Sequence, residues 1–234
     1  MAALAALASF VRGYSGFGFA ALIMAGATLV TDPIPLVAAI LLCDMALTAA
    51  QAPSIRGEVE WGRVLPLLAG AVAGVPLGVA LFAWLPPEAG RAAVSAWVLL
   101  MCAALWMGWR MARAAGRAAH AGVGVVSGLA NGAAVGGLPV AAFFAAQPMA
   151  AARVRGTLVT YFAALDAGTL LILAARGDVG LPDLLLAALA LPVMLVFVLL
   201  GGRRFLATPP EDFRRFAILL LAGLALLGLA RSLL

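Results

Sequence analysis

Of the 234 residues, 65% are hydrophobic and only 11% are charged, and the mean hydropathy is +1.13. A soluble domain of this length would lack the polar surface to face water, so the composition excludes one and indicates an all-α polytopic membrane protein. The net charge of +5 comes from fifteen arginines without a single lysine. These stand singly between apolar runs, as positive-inside anchors do, and form no basic face on a folded module, so a nucleic-acid partner is not expected.

The first apolar run covers residues 1–29, and it is broken. Immediately after Arg12, the stretch Gly13-Tyr-Ser-Gly-Phe-Gly-Phe-Ala places Gly13, Gly16 and Gly18 within six positions. Each costs about 1 kcal/mol relative to alanine in a helix interior. Broken backbone survives in a bilayer only where protein or a water-filled cavity satisfies its polar groups. The runs at 34–51, 63–84 and 91–112 follow without such a break. The run at 119–146 is broken again, by Gly128-Leu-Ala-Asn-Gly-Ala-Ala-Val-Gly-Gly-Leu-Pro, and runs at 154–174, 181–201 and 213–230 complete about eight segments. The loops are short and leave no room for a soluble domain, so residues 1–234 read as one transmembrane domain. Trp61, Trp84, Trp106 and Trp109 lie near segment ends, where aromatic belts sit. Cys43 and Cys102 fall inside spans and are expected as free thiols. No basic stretch precedes the first apolar run, so a cleaved signal peptide is not expected.

The chain is internally duplicated. Arg56-Gly57-Glu58-Val59 recurs as Arg176-Gly177-Asp178-Val179, Pro86-Pro87-Glu88 with Arg91 recurs as Pro209-Pro210-Glu211 with Arg214, and Asp44 recurs as Asp166. The spacings are 120, 123 and 122 residues, which divides the chain into repeats 1–115 and 116–234. If all eight segments cross, the loop arginines divide seven against seven. If the two broken segments are hairpins that enter and leave on one side, each repeat crosses three times and the repeats are inverted. One face then collects Arg56, Arg63, Arg110, Arg113, Arg117, Arg153, Arg155, Arg203, Arg204, Arg214 and Arg215, and the other keeps Arg91, Arg176 and Arg231. Eleven against three is the asymmetry the positive-inside rule expects, which favours inverted repeats with both termini outside.

Glycine-broken segments in matching places of two halves point to a transporter binding site. A hairpin at the first break starts a half-helix near Phe17–Ala20, and the second break starts one near Gly136–Pro139, where Pro139 suits a first helical turn. Each start offers free N–H groups and a positive dipole end. An anion site is therefore expected from Arg12, Ser15, Gly16 and Gly18 with Asn131, Gly132, Gly136, Gly137 and Pro139. The alternatives are close helix packing for the glycines and snorkelling to the interface for Arg12, whose matching place in the second half holds Ser127. Asp44 and Asp166 stand in apolar spans, where a carboxyl group either carries a coupled proton or braces a hairpin. Asp166 is the favoured carrier because Tyr161 and Thr157 share its segment. His120 reads as an interface residue. No metal-ligand spacing, cofactor motif, ATP-binding motif or nucleophile–base pair is visible, so neither an enzyme nor a bound cofactor is expected.

Gly13 through Ala20 resembles the first-half motif of the TauE/SafE sulfite exporter family, Gly-x-x-Gly-x-Gly-Gly-Gly, with Phe19 and Ala20 in place of glycines. Ser127-Gly128 through Gly136-Gly137-Leu138-Pro139-Val140 resembles the family's second-half Gly-Gly-Pro-Pro stretch, with Leu138 in place of the first proline. The resemblance covers essentially the whole chain. It implies a two-repeat transporter of the inner membrane that exports a small anion such as sulfite or a sulfonate. Proton coupling is expected in the absence of an ATP site. The other readings are a passive anion channel and a non-transporting scaffold subunit, and a homo-oligomer is compatible with all of them. The arginine count carries a direct test: a compartment reporter fused after Leu234 is expected to read as periplasmic, and one inserted at 110–117 as cytoplasmic. A cytoplasmic reading after Leu234 would overturn the inverted arrangement.

Overall fold

The computed structural model describes residues 2–205 together with Ala222 and Leu226. The eighth apolar segment at 213–230, the second Pro-Pro-Glu copy, Arg214, Arg215, Arg231 and the side on which the C-terminus emerges all lie outside the described residues. Among the described residues the chain is helical throughout, with no strand.

Helix α1 (Ala2–Ser15) is followed by α2 (Phe19–Ala27). With 14 and 9 residues, they reach about 21 and 14 Å at 1.5 Å per residue, too short for a hydrocarbon core of about 30 Å. They fold back on each other: a Cβ added to Gly26 in α2 would come 2.1 Å from Leu4 Cδ2 in α1. The turn between them uses Gly16 at φ +81° and Gly18 at φ +93°, conformations that a side chain would strain. Ser15 Oγ donates to Val11 O at 2.8 Å and accepts from the Phe17 amide at 3.3 Å, which keeps the turn's polar groups satisfied without water. The second broken segment does the same with α6 (Arg117–Asn131) and α7 (Gly137–Ala145). His120 near the start of α6 meets Phe143 near the end of α7, ring centroids 5.0 Å apart. His120 is therefore buried inside a hairpin, its Nδ1 2.9 Å from Gly116 O, and is not the interface residue its loop-side position implied.

Five helices are long and apolar enough to span: α3 (Val37–Ile55, led by a 3-10 turn at Ile34–Leu36), α4 (Trp61–Trp84), α5 (Pro87–Trp106), α8 (Ala151–Arg176) and α9 (Leu181–Phe205). The fourth apolar run, expected over 91–112, is helical only to Trp106. Pro87 takes the first helical position, and Gly108 at φ +63° ends the run. The duplicated Arg-Gly-acid-Val motif has a local job at the ends of α3 and α8. Gly57 and Gly177 both sit in the left-handed region, at φ +86° and +79°, where a glycine turns the chain out of a helix.

Packing inverts soluble-protein logic. Outward faces carry exposed apolar residues such as Val72, Leu189 and Trp84, which meet lipid. Trp61, Trp106 and Trp109 are also exposed, as belt residues should be. Cys43 and Cys102 are free and buried. Inside, backbones meet directly through small residues. Helix α6 lies along α4: a Cβ on Gly74 would be 2.2 Å from Val125 O, and one on Gly124 would be 2.0 Å from Leu67 O. Helix α1 lies along α9 in the same way, where a Cβ on Gly13 would be 2.0 Å from Val198 O.

The loop between α3 and α4 is tied to the start of α8. The Glu60 amide donates to Thr157 Oγ1 at 3.0 Å, and its carboxylate meets Arg63 Nε at 2.7 Å and Arg153 Nη1 at 3.1 Å. The Arg63 hydrogen bond, with help from Arg153, holds the Glu60 carboxyl below the usual carboxylate range. Arg63 also donates to Gln147. The α3–α4 loop and the α7–α8 loop therefore share one face of the molecule.

The glycine contacts generate a paired prediction. Gly74→Val overpacks a backbone contact and is expected to destabilise by about 1–3 kcal/mol or more. Gly62→Val, where nothing lies within 4 Å, is expected to be tolerated. Thermal midpoints of the two variants in detergent check this, and equal midpoints would refute the close-packing account.

Candidate functional site

Two clusters of similar chemistry hold the hairpin tips. In the first, Arg12 is only 1% exposed, the largest fully buried side chain among the described residues. Its Nη1 donates to Gly16 O at 3.1 Å and its Nη2 to Thr48 Oγ1 at 2.8 Å. Its Nε lies 3.1 Å from Asp44 Oδ1, an ion-pair contact whose angle falls short of a hydrogen bond. The guanidinium carbon stands 5.3 Å from the centre of the Phe162 ring. In the second cluster, Asn131 Nδ2 donates to Asp166 Oδ1 at 3.1 Å and to Thr169 Oγ1 at 2.9 Å. Each tip thus carries one donor side chain, and each following helix supplies an aspartate and a threonine one turn apart. The first donor is a cation and the second is a neutral amide. Asp44 and Asp166 both line the space between the tips, so the two clusters meet at their carboxyl groups.

Between the tips lies a cavity of about 20 Å³, lined by Arg12, Asp44, Asn131 and Asp166 and by the opening turns of α2 and α7. That is room for about one water molecule. Neither helix start carries a side-chain cap, so the first N–H groups of α2 (from Phe19) and of α7 (from Gly137) present uncapped positive dipole ends here. Donors therefore converge on the cavity from two helix starts and one arginine, with two carboxyl groups opposite. This arrangement can hold an oxyanion, provided the carboxyl groups do not repel it.

Not every sequence candidate faces this space. Arg12, Gly18, Asn131, Gly137, Asp44 and Asp166 do. Ser15 instead caps its own turn and borders a separate cavity of about 290 Å³ beside Phe17 and Phe205. Gly16 sets the turn and accepts from Arg12. Gly132 permits contact between hairpin and α4, since a Cβ there would meet Gly78 C at 2.3 Å. Gly136 accepts from Ser127 Oγ at 2.7 Å, and Pro139 is buried in the first turn of α7. Tyr161 donates to Ser127 Oγ at 2.9 Å and so braces the second tip, while Thr157 is occupied by the Glu60 amide. Neither hydroxyl bonds to Asp166, which removes the relay that favoured it in the sequence.

The structure adds residues the sequence reading passed over. Thr48 and Thr169 follow their aspartates by four and three positions, a helical spacing that was legible as one face. Phe162, four before Asp166, shares that face too. Arg155, counted above among the loop arginines, is 5% exposed inside α8, where its Nε donates to Gly13 O at 3.2 Å. Arg155 is thus not a loop arginine, and nothing in the local sequence distinguished it from its exposed neighbour Arg153.

Comparison with known proteins agrees on one family. Residues 1–227 match the family model described as Sulfite exporter TauE/SafE. A Cupriavidus necator protein named "Probable sulfite/organosulfonate exporter TauE" is 28% identical over 233 residues, covering 95% of this chain and 90% of that relative. No solved structure matches the chain.

Removing one partner of a buried pair costs far more than replacing both, because the survivor is left as an uncompensated charge. Asp44→Ala is expected to lower stability by about 3–5 kcal/mol. The double variant Arg12→Met, Asp44→Leu is expected to recover most of that loss. Thermal unfolding in detergent decides it; a double variant no more stable than Asp44→Ala would show that the pair does not carry the tip.

Proposed function

This chain belongs to the TauE/SafE sulfite exporter family, and on that premise we propose that it is a secondary transporter of the inner membrane that moves sulfite or a small organosulfonate outward, coupled to protons. The observation that carries the reading is the convergence of Arg12 and two uncapped helix starts on one cavity that also holds the Asp44–Asp166 pair. A sulfur oxyanion has three oxygens to satisfy, and helix N-termini plus a guanidinium supply donors without requiring a second full charge.

Coupling follows from the carboxyl groups. Two ionised aspartates lining one cavity would repel each other and oppose an anion at the same place, so a proton on one of them favours binding. In the proposed cycle the proton is present when the anion is, and its loss expels the anion. One proton with one monoanion is electroneutral, so the direction of flux follows the product of the two gradients. Asp166 is the proposed titrating member, because Asp44 is held by Arg12 while Asp166 faces the neutral Asn131.

Alternating access is proposed to come from two inverted repeats, 1–115 and 116–234. The packing supports this: the hairpin of each repeat lies along a long helix of the other, α1 on α9 and α6 on α4, and α4 and α9 stand at matching places in the duplication. Both termini are placed outside in this scheme, with the arginine-rich loops facing the cytoplasm. A cavity with room for one water is the occluded member of such a cycle.

The test is flux in liposomes. Purified protein is expected to move sulfite against its gradient when a pH gradient is imposed. Asp166→Asn is expected to keep sulfite binding and lose gradient-driven transport. Full gradient-driven transport in Asp166→Asn would end the coupling scheme, and saturable-free, pH-independent flux in the unaltered protein would indicate a passive channel.

A further inference from the structure

Arg12 has a carboxylate; Arg155 does not. Among the described residues, no acidic side chain contacts the Arg155 guanidinium. Its Nε donates to Gly13 O, while both terminal nitrogens reach only one shared oxygen, Ser54 Oγ, at 3.4 Å. A guanidinium carries five N–H donors, so most of the fork is left with weak partners in a site where Arg155 is 95% buried by its 5% exposure. An uncompensated buried cation is costly, and the cost falls when an anion arrives.

The surroundings are shaped for one. Gly202 borders the guanidinium, where a Cβ would lie 3.4 Å from Nη2, and Gly16 lies against the aliphatic stem, where a Cβ would be 3.0 Å from Cγ. The Phe205 ring covers another side, 5.2 Å from Arg155 Cζ. Phe205 also lines the cavity of about 290 Å³ beside Ser15 and Phe17, as does Val154, the residue before Arg155. Arg155 is four residues into α8, whose start carries the Glu60–Arg63–Arg153 network. It therefore lies about 6 Å along the helix from that face. On the inner side it packs against Gly16, whose carbonyl accepts from Arg12.

We infer that Arg155, with the Ser54 hydroxyl, forms a second oxyanion site on the arginine-rich face of the first hairpin tip, where a sulfite or sulfonate group docks before passing to Arg12. The planar fork takes two oxygens of the anion, and the Ser54 hydroxyl, which donates to Gln51 O at 2.8 Å in this structure, turns to the third. The inference uses the proposed transport function for the identity of the anion; the docking site itself is a matter of binding.

Sulfite binding to the purified full-length protein, by calorimetry in detergent, tests the site beside sulfite flux in liposomes. Arg155→Gln is expected to raise the sulfite Kd and the KM for flux at least tenfold. Ser54→Ala, which removes one hydroxyl from the last turn of α3, is expected to raise both about threefold with no change in thermal midpoint. If Arg155→Gln does not fold, Arg155→Lys replaces it, keeping the charge and losing the fork, with a Kd rise of about fivefold or more. A merely structural arginine would lower the thermal midpoint and leave the Kd of Ser54→Ala and of the folded Arg155 variant at the starting value, and that result overturns the inference. Sulfite binding in the unaltered protein without any flux would remove the transport function and leave the docking site standing on its Kd shifts. Normal flux with unshifted variants would remove the docking site alone.

Discussion

A charged guanidinium that cannot reach water is the constraint from which the rest of this structure follows. Arg12 sits at the end of a helix too short to cross the bilayer, and it must be satisfied where it stands. Its own turn supplies Gly16 O, and α3 supplies Asp44 and Thr48, so one side chain fixes the turn and docks the hairpin on a spanning helix. Phe162 from α8 closes the remaining face. The tip is therefore held by groups from three separate parts of the chain. The second tip repeats the plan with Asn131, which asks less of its surroundings because it carries no charge.

Holding two broken segments inside a membrane also demands that their helices approach closely, since lipid offers no hydrophobic force to press them together. Glycines meet this need where α6 lies on α4 and α1 lies on α9. The same residue type thus does two jobs that composition alone cannot separate. Gly16 and Gly18 turn the chain, whereas Gly13, Gly74 and Gly124 let backbones touch. Because the hairpin of each half leans on a helix of the other, a movement of either half carries both tips, and this is the mechanical basis of the access change proposed here.

Electrostatics at the centre ties binding to protons in the proposed function. Donors from the helix starts and Arg12 attract an anion, while Asp44 and Asp166 repel it unless one is protonated. In that proposal the site discriminates by the state of a carboxyl pair and not by a fixed positive charge. Arg155 is the counterpart in the further site proposed: a cation without a carboxylate among the described residues, its stem packed on the same Gly16 whose carbonyl accepts from Arg12. An anion drawn to it meets an attraction that no aspartate there offsets.

Hydropathy alone determined that the chain is a helical membrane protein, because there is no other way to place 65% apolar residues around satisfied backbone. The glycine clusters marked where helices break, since three such residues within six positions weaken a spanning helix. Their repetition also marked the donors Arg12 and Asn131 and the aspartates as candidate partners. What each side chain touches was decided by tertiary structure. Arg155 and Arg153 are two residues apart in the same helix, yet one is buried against a hairpin and the other is on the surface, because only the packed neighbour α1 distinguishes their faces. Tyr161 shares a helix with Asp166 but is claimed by Ser127 across a gap no local pattern encodes. His120 looked like an interface residue and is covered by Phe143, which only the fold-back of α7 brings near. Periodicity reports the faces of a helix; which face meets which neighbour depends on contacts between residues far apart in the chain, and these exist only once the helices are packed.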